Sequence, residues 1–229
     1  MVISQFKDGY RYNSDTIMLY DFALSLKLSG EILEVGSGSG VLGLLLKRDL
    51  KNTLITMIDI QDENIALSIQ NSRENSLSCD IIQADFSKFK SDKRFDHIIS
   101  NPPFYHDGVR QSQNKHLQIS RYASNLSLEN LISNSSSHLK SHGSLVFCYD
   151  AKQLMYIAHL LKQSKFALTK LKFVYPKKGK SAKLALIEAK KSSRSLCEVL
   201  ENIYLSDENG YAKEAHEIFK KANLTSKDV

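Results

Sequence analysis

The stretch DHIISNPPFYHDG, Asp96 to Gly108, sets Asn101, Pro102, Pro103 and Phe104 directly behind an apolar run and uses two of the chain's three prolines. Each proline holds φ at about −65° and lacks an N–H, and the residue before a proline is pushed into extended geometry. The loop is therefore stiff, non-helical and rich in free carbonyls. Such a loop suits a planar amine conjugated to a ring, which is a poor nucleophile. The Asn101 side-chain oxygen and the Pro102 carbonyl can accept the amine's two hydrogens, which brings lone-pair character to the nitrogen where it faces an electrophile. Pro103 helps to fix those acceptors. Phe104 offers a ring on which an unstacked base can lie, a contact worth about 1–3 kcal/mol. No general base is needed in the loop, because the alkylated amine is strongly acidic and loses its proton later. The plain alternative is a turn that only ends a strand.

A second group of residues can hold the electrophile. In ILEVGSGSGVLGLLL, Gly36, Gly38 and Gly40 stand between a strand and a helix, where glycine permits a tight turn and backbone amides approach a ligand at the positive end of the helix. Gly38, Gly40 and Gly43 also satisfy the dinucleotide pattern GxGxxG, with Asp59 about twenty residues on as a ribose-binding acid. The turn alone does not separate a nicotinamide dinucleotide from another adenosine-bearing ligand. Glu34 does, because an acid at that strand end attracts an ammonium and repels a pyrophosphate. S-adenosylmethionine carries both an amine and a sulfonium, and fits. Asp85, in QADF, can accept from an adenine amino group while Phe86 or Ile60 covers the ring. Glu34, Asp59 and Asp85 thus fall at three successive strand ends, the edge at which open α/β sheets bind ligands.

Those positions require a particular scaffold. EILEVG (Glu31 to Gly36), LITMIDI (Leu54 to Ile60), CDIIQADF (Cys79 to Phe86), FDHIIS (Phe95 to Ser100) and SLVFCYD (Ser144 to Asp150) read as strands, several apolar on both faces. Helix-length segments with apolar residues three and four apart lie between them, which predicts a parallel sheet with helices on both faces. LTKLKFVYP (Leu168 to Pro176) and KLALIEAKK (Lys183 to Lys191) are joined by a loop too short for a crossover, so they form an antiparallel hairpin closing the sheet. The Ser-rich SNSSSHLKSH lies within a helical pattern. The expected fold is α/β and Rossmann-like, with seven mostly parallel strands, in a single domain over residues 1–229. Residues 1–30 form an extension with a helix beginning near Asp15, and residues 192–229 form a tail with a strand or loop and a helix.

The 229 residues, 42% apolar and 24% charged, describe an ordinary globular chain. Cys79, Cys148 and Cys197 are widely spaced without a CxxC or a Cys/His pairing, which argues for reduced, mostly buried thiols and against a metal site or disulfide framework. The first twenty residues hold Lys7, Asp8, Arg11 and Asp15 and no apolar leader core, and no apolar run is long enough to span a bilayer. A cytoplasmic protein without membrane association is expected. Charge is unevenly spread: Ala151 to Arg194 holds twelve Lys or Arg against Glu188 alone, a net of +11 within a chain whose total is +6. A bias so one-sided is the footprint of a phosphate-binding face, with Lys177, Lys178, Lys180 and Lys183 as the candidate contacts.

EVGSGSG, the Asp59-Ile60 pair, QADF and NPPF resemble, in that order, the motifs of class I S-adenosylmethionine-dependent methyltransferases, and NPPF resembles the signature of those that methylate planar nitrogens. Within that group the chain is most similar to the bacterial enzymes that form N6-methyladenosine beside the anticodon of valine tRNA. YRYNSDTIMLYDFA, RYASNLSLENLI, FVYPKKGKSAKLALIEA and DENGYAKEA extend the similarity over nearly the whole length. The resemblance implies tRNA as the RNA partner and a monomer or weak dimer. It also implies that Asp15 and Thr16 lie near the methionine end of the cofactor, with Ser14 standing where the family often has glycine. Arg121 and Tyr122, on a segment resembling a loop over the active site, become substrate contacts. Rival readings are a guanine-N2 methyltransferase of ribosomal RNA and a glutamine N5-methyltransferase acting on protein. An RNA-binding protein with a dead cofactor pocket and a nicotinamide dehydrogenase complete the set. The thirty residues before the first strand leave little room for the helical domain of the protein-directed enzymes, a dead pocket has no reason to keep its acids together, and a dehydrogenase leaves NPPF idle.

Overall fold

A computed structural model describes residues 1–7, 11–103, 126–208 and 210–229. Phe104, Arg121 and Tyr122 lie outside the described residues. The chain runs β1 (Val2–Gln5), α1 (Ser14–Ser25), β2 (Gly30–Val35), α2 (Val41–Asp49), β3 (Thr53–Asp59), α3 (Asp62–Glu74), β4 (Asp80–Gln83) and β5 (Phe95–Ser100). It continues through α4 (Leu128–His138), β6 (Leu139–Asp150), α5 (Leu154–Gln163), β7 (Phe166–Lys177) and β8 (Leu184–Lys191), then the short β9 (Glu198–Val199), β10 (Ile203–Asp207) and β11 (Gly210–Tyr211), and ends in α6 (Lys213–Ala222) and β12 (Thr225–Asp228).

The main sheet has the order β11-β10-β7-β8-β6-β5-β2-β3-β4. From β4 to β6 all neighbours are parallel, and β8 is antiparallel to both β6 and β7. The seven expected strands are present, and the expected hairpin is antiparallel. The hairpin does not end the sheet, because β10 adds to β7 in parallel and β9 pairs with β7 as well. Two boundaries also move. The Ser-rich helix stops at His138, and β6 begins at Leu139 instead of Ser144.

Side chains alternate across the sheet with the period of two that a strand imposes. Ile32, Ile99, Val146, Cys148 and Leu186 join one core with α1, α2 and Ile218 of α6. Their neighbours Leu33, Ile98, Leu145, Phe147 and Ile187 join a second core with α4 and α5. Burial on both faces explains the unbroken apolar runs of these strands. Of the three cysteines Cys148 alone is buried; Cys79 is half-buried and Cys197 exposed, so the expectation of mostly buried thiols holds for one of the three.

A second, two-stranded sheet pairs β1 with β12 in parallel, Val2 opposite Thr225 and Gln5 opposite Asp228. The other edge of β1 is closed by side chains. The Asn75 amide bonds both Val2 N (3.0 Å) and Val2 O (2.7 Å), and the Asn71 amide bonds both Ser4 N (2.8 Å) and Ser4 O (3.0 Å). The match is geometric. Four residues of helix rise ~6 Å and two residues of strand ~6.6 Å, so one helical turn of asparagines imitates a strand edge.

Candidate cofactor and acceptor site

The strand order reverses between β2 and β5, which is where ligands bind in an open α/β sheet. Val35 pairs with Ser100, and the Ser100 hydroxyl donates to the Val35 carbonyl at 2.8 Å. The glycine turn after β2 and Asn101 after β5 therefore leave the sheet side by side. Between them opens a cleft enclosing about 950 Å³ of empty space, counting the part open to solvent. Thr16, Glu34, Gly36, Gly38, Asp59, Ile60, Asp85, Phe86, Asn101 and Pro103 all face it. The structure thus brings together cofactor candidates from four separate strand ends, while Gly40, at the start of α2, and Asp15 are not among the residues facing the cleft.

Glu34 is 3% exposed, and its Oε2 accepts the Gly43 N–H at 2.9 Å. Burial pushes its carboxyl up to about 8, against the opposing effect of that hydrogen bond, and nearby Asp59 raises it further. The close contact also accounts for Gly43, since a Cβ there would sit 2.4 Å from Glu34 Oε2 and 2.4 Å from Met57 Sδ. Asp59 accepts from Gly38 N (2.8 Å), Gln61 N (2.9 Å) and Asn64 Nδ2 (3.1 Å). A carboxylate has about four lone-pair sites, so one remains for a ligand hydroxyl. Gly38 presents its N–H at φ +56°, a left-handed geometry that glycine adopts without strain.

Asp85 lies two residues beyond β4, where the Ser87 hydroxyl (2.6 Å) and N–H (2.9 Å) both bond Oδ1. The hydroxyl bond is the main reason its carboxyl sits below the usual range. The two apolar candidates separate. Ile60 is 41% exposed, while Phe86 is 5% exposed and packs beside His138 with ring centroids 5.5 Å apart, so Ile60 offers the freer surface for a ring.

Asn101 is held from two sides. Its Nδ2 donates to Thr16 Oγ1 at 3.0 Å, and its Oδ1 accepts the Cys148 thiol at 3.0 Å. Burial, with Asp15 nearby, keeps the Cys148 thiol protonated well above its ordinary range, so it stays a donor. A carbonyl oxygen has two lone pairs, and one is left on Asn101 Oδ1 for a substrate N–H. Asp15 itself, next to Thr16 on α1, is raised by burial, and Lys183 is among the groups that oppose the rise. Asn13 caps that helix by accepting from Asp15 N at 3.0 Å and from Thr16 N at 3.4 Å.

Sequence reasoning missed Tyr12, Ser37, Ser39, Asn64 and Leu126, which also face the cleft. Tyr12 is placed by its N–H, which donates to Gln5 Oε1 at 2.9 Å. The Ser39 carbonyl accepts from Asn71 Nδ2 at 2.9 Å, and the Gly38 carbonyl from Ser68 Oγ at 2.7 Å. The Asn64 bond to Asp59 was foreseeable as a polar residue in the first turn after an acid-tipped strand. The others depend on distant segments. Pro102 is buried and, unlike Asn101 and Pro103, is not among the residues facing the cleft; Lys177, Lys178, Lys180 and Lys183 stand exposed at the tip of the β7–β8 hairpin, on the same rim as the cleft. Among the described residues, no group of three or more His, Cys, Asp or Glu is placed to hold a metal ion, and no helix is long and apolar enough to cross a membrane.

A doubly wound sheet with a glycine turn, an acid at or just beyond the carboxyl end of each of three strands and an amide acceptor after the fourth defines the class of Rossmann-like methyltransferases. The chain belongs to the methyltransferase small domain family, whose model matches residues 15–174, and the cofactor of that class is S-adenosylmethionine. The Glu34 carboxyl, which an ammonium beside it would drive to its ionised form, the remaining lone pair of Asp59 and the exposed face of Ile60 fit that cofactor. Over 160 residues the chain is 29% identical to a tRNA1(Val) (adenine(37)-N6)-methyltransferase of Glaesserella parasuis, a match covering 66% of this chain and 65% of that protein. Over 94 residues it is 37% identical to a ribosomal RNA small subunit methyltransferase C of Actinobacillus pleuropneumoniae, covering 41% of this chain and 28% of the other. It therefore spans less than two thirds of either relative's length. A methyltransferase from Pyrococcus furiosus shares the fold, with a TM-score of 0.62 at 19% identity over 82% of this chain and 88% of that one.

Proposed function

We propose that the protein methylates the exocyclic N6 amine of an adenine in RNA, with tRNA beside the anticodon as the substrate of first choice. The observation that carries the reading is Asn101. It sits at the cleft one strand from the glycine turn, with its amide oriented by Thr16 and Cys148 and one oxygen lone pair unused. S-adenosylmethionine supplies an electrophilic methyl group on a sulfonium sulfur. Glu34, Asp59 and the amides of the glycine turn would hold it, Asp85 and Ile60 would receive its adenine, and Asp15 and Thr16 belong near its amino-acid end. Asn101 Oδ1 and the Pro102 carbonyl accept the two amine hydrogens of the substrate and orient the nitrogen lone pair. The proline pair keeps both acceptors fixed. Phe104 offers a stacking surface for the flipped base, Arg121 and Tyr122 touch substrate, and the hairpin lysines attract RNA phosphates. The reading places the activity in a single domain, in the cytoplasm.

Asn101→Ala should abolish turnover while cofactor affinity survives, and equal turnover in that variant would refute the assignment. Labelled cofactor offered separately with tRNA, ribosomal RNA, DNA and protein identifies the acceptor, and mass spectrometry of the labelled nucleoside identifies the atom. The stretch shared with the ribosomal RNA enzyme favours one second reading, guanine N2, whose exocyclic amine is equally planar. An N2-methylguanosine product would replace the adenine reading with that one.

A further inference from the structure

The lysines of the β7–β8 hairpin divide into two groups. In the strand bodies Lys170 pairs with Glu198 (2.6 Å), Lys172 with Glu214 (3.7 Å) and Lys190 with Glu188 (3.7 Å), while Lys191 Nζ donates to the Ser136 and Leu139 carbonyls. At the tip, Lys177, Lys180 and Lys183 enter no ion pair among the described residues, nor does Lys152, which follows β6. These four border one depression together with Ser206, and it encloses about 740 Å³ of empty space, counting the part open to solvent. Among the described residues, no carboxylate lines it.

The depression is braced. Lys180 N bonds Lys177 O (3.2 Å) across a turn in which Gly179 takes φ +80°. Lys183 N bonds Val174 O (3.0 Å), and Ala151 N bonds Lys183 O (3.0 Å), which ties the hairpin to the residue before Lys152. Ser206 Oγ donates to Pro176 O at 2.8 Å and ties β10 to the same turn. Three chain segments that meet only through the fold therefore hold their polar groups around one hollow.

Its position relative to Asn101 is set by register. Cys148, which touches Asn101, lies opposite Leu186, and Asp150 lies opposite Leu184. At ~3.3 Å per residue and ~4.8 Å per strand, Lys183 is about 11 Å from Cys148. Asp15, beside the Thr16 that orients Asn101, feels the Lys183 charge. The hollow is thus close enough to the acceptor site to hold backbone of the same nucleotide chain.

We infer that Lys152, Lys177, Lys180, Lys183 and Ser206 form a discrete subsite for an RNA backbone phosphate next to the target nucleotide. The inference rests on the proposal that RNA is the substrate, and it singles out Lys152, which the charge pattern alone did not distinguish. Lysine suits the task as a compact, strongly hydrated charge for phosphate, while the Ser206 hydroxyl, which donates to Pro176 O, fixes the wall of the hollow. The same basic segment provides a matched comparison. Lys162 and Lys165 are exposed at the opposite end of the sheet, where α5 leads into β7.

The test measures binding of total tRNA by fluorescence anisotropy at several salt concentrations, together with KM for tRNA. The pairs compared are Lys152→Ala with Lys183→Ala and Lys162→Ala with Lys165→Ala, which remove equal charge. The first pair should weaken binding about tenfold and flatten the salt slope by about 0.7, the value for one single-strand phosphate no longer neutralised, with KM rising in step. The second pair should leave binding within twofold. Equal weakening by both pairs would overturn the subsite in favour of a diffuse field, as would no weakening by the first pair. Binding is read without reference to the product, so a methylated guanine would displace the adenine reading and leave this one standing. Intact adenine methylation with unaltered binding in the first pair would sink the subsite alone.

Discussion

Glu34→Gln should remove the fall in the free protein's stability that Glu34 causes as pH rises from 4.5 to about 8. Glu34 is buried, and its carboxyl titrates at about 8 in the folded chain against an ordinary 4.5. Below 4.5 both states hold the proton, so the neutral side chain's contribution is complete. As pH rises from 4.5 towards 8 the unfolded chain releases the proton while the folded chain keeps it, and stability falls throughout that window. A separation of about 3.5 units at 1.36 kcal/mol each corresponds to a loss of about 5 kcal/mol. The glutamine keeps the shape and an oxygen for the Gly43 N–H but cannot ionise. Urea unfolding of both forms without cofactor, at steps between pH 4.5 and 8.5, should show wild type losing several kcal/mol relative to the variant. Every other titrating group is common to both and cancels. A difference that stays constant across the range would refute the reasoning, because Glu34 would then ionise in the folded protein as it does in the unfolded one.

Two further outcomes follow from named contacts. Cys148→Ala removes the donor on Asn101 Oδ1 and should lower turnover about fivefold, the equivalent of ~1 kcal/mol of lost hydrogen bonding, with cofactor affinity unchanged. Cys148→Ser should recover part of the rate per folded molecule, and a rate in the alanine variant equal to wild type would show that the thiol does not position the amide. Asn71→Ala strips partners from Ser4 N, Ser4 O and Ser39 O at once, and thermal or urea unfolding should register a loss of about 3 kcal/mol. Isothermal titration should also find weaker cofactor binding, because the Ser39 carbonyl belongs to the glycine turn, and full affinity would separate that asparagine from the site.

The parallel strands were legible because burial on both faces leaves runs such as Ile98-Ile99 without polar alternation. The acids and glycines were legible because each stands at a fixed offset from such a run. By contrast, β1 and β12 read VISQ and TSKD, and neither carries an apolar period. One is completed by asparagine side chains and the other by a partner over two hundred residues away, so no local window contains the cause. The clamp on Asn101 was equally hidden, since Thr16 and Cys148 are 85 and 47 residues distant. The sequence suggested Phe86 or Ile60 as a cover for the adenine without choosing. The distinction lies in burial, with Phe86 packed beside His138 in the second core and Ile60 left exposed.

The sheet that joins residues 2–5 to residues 225–228 has a consequence for biogenesis. On a ribosome adding roughly 5–20 residues per second, the first strand waits about ten seconds or longer for its mate. An unmatched strand edge is an invitation to pair with a neighbouring nascent chain. Asn71 and Asn75 emerge far sooner and already satisfy alternate peptide groups of that strand. They act as a placeholder, shielding half of a sticky ribbon until the last residues arrive to cover the remainder.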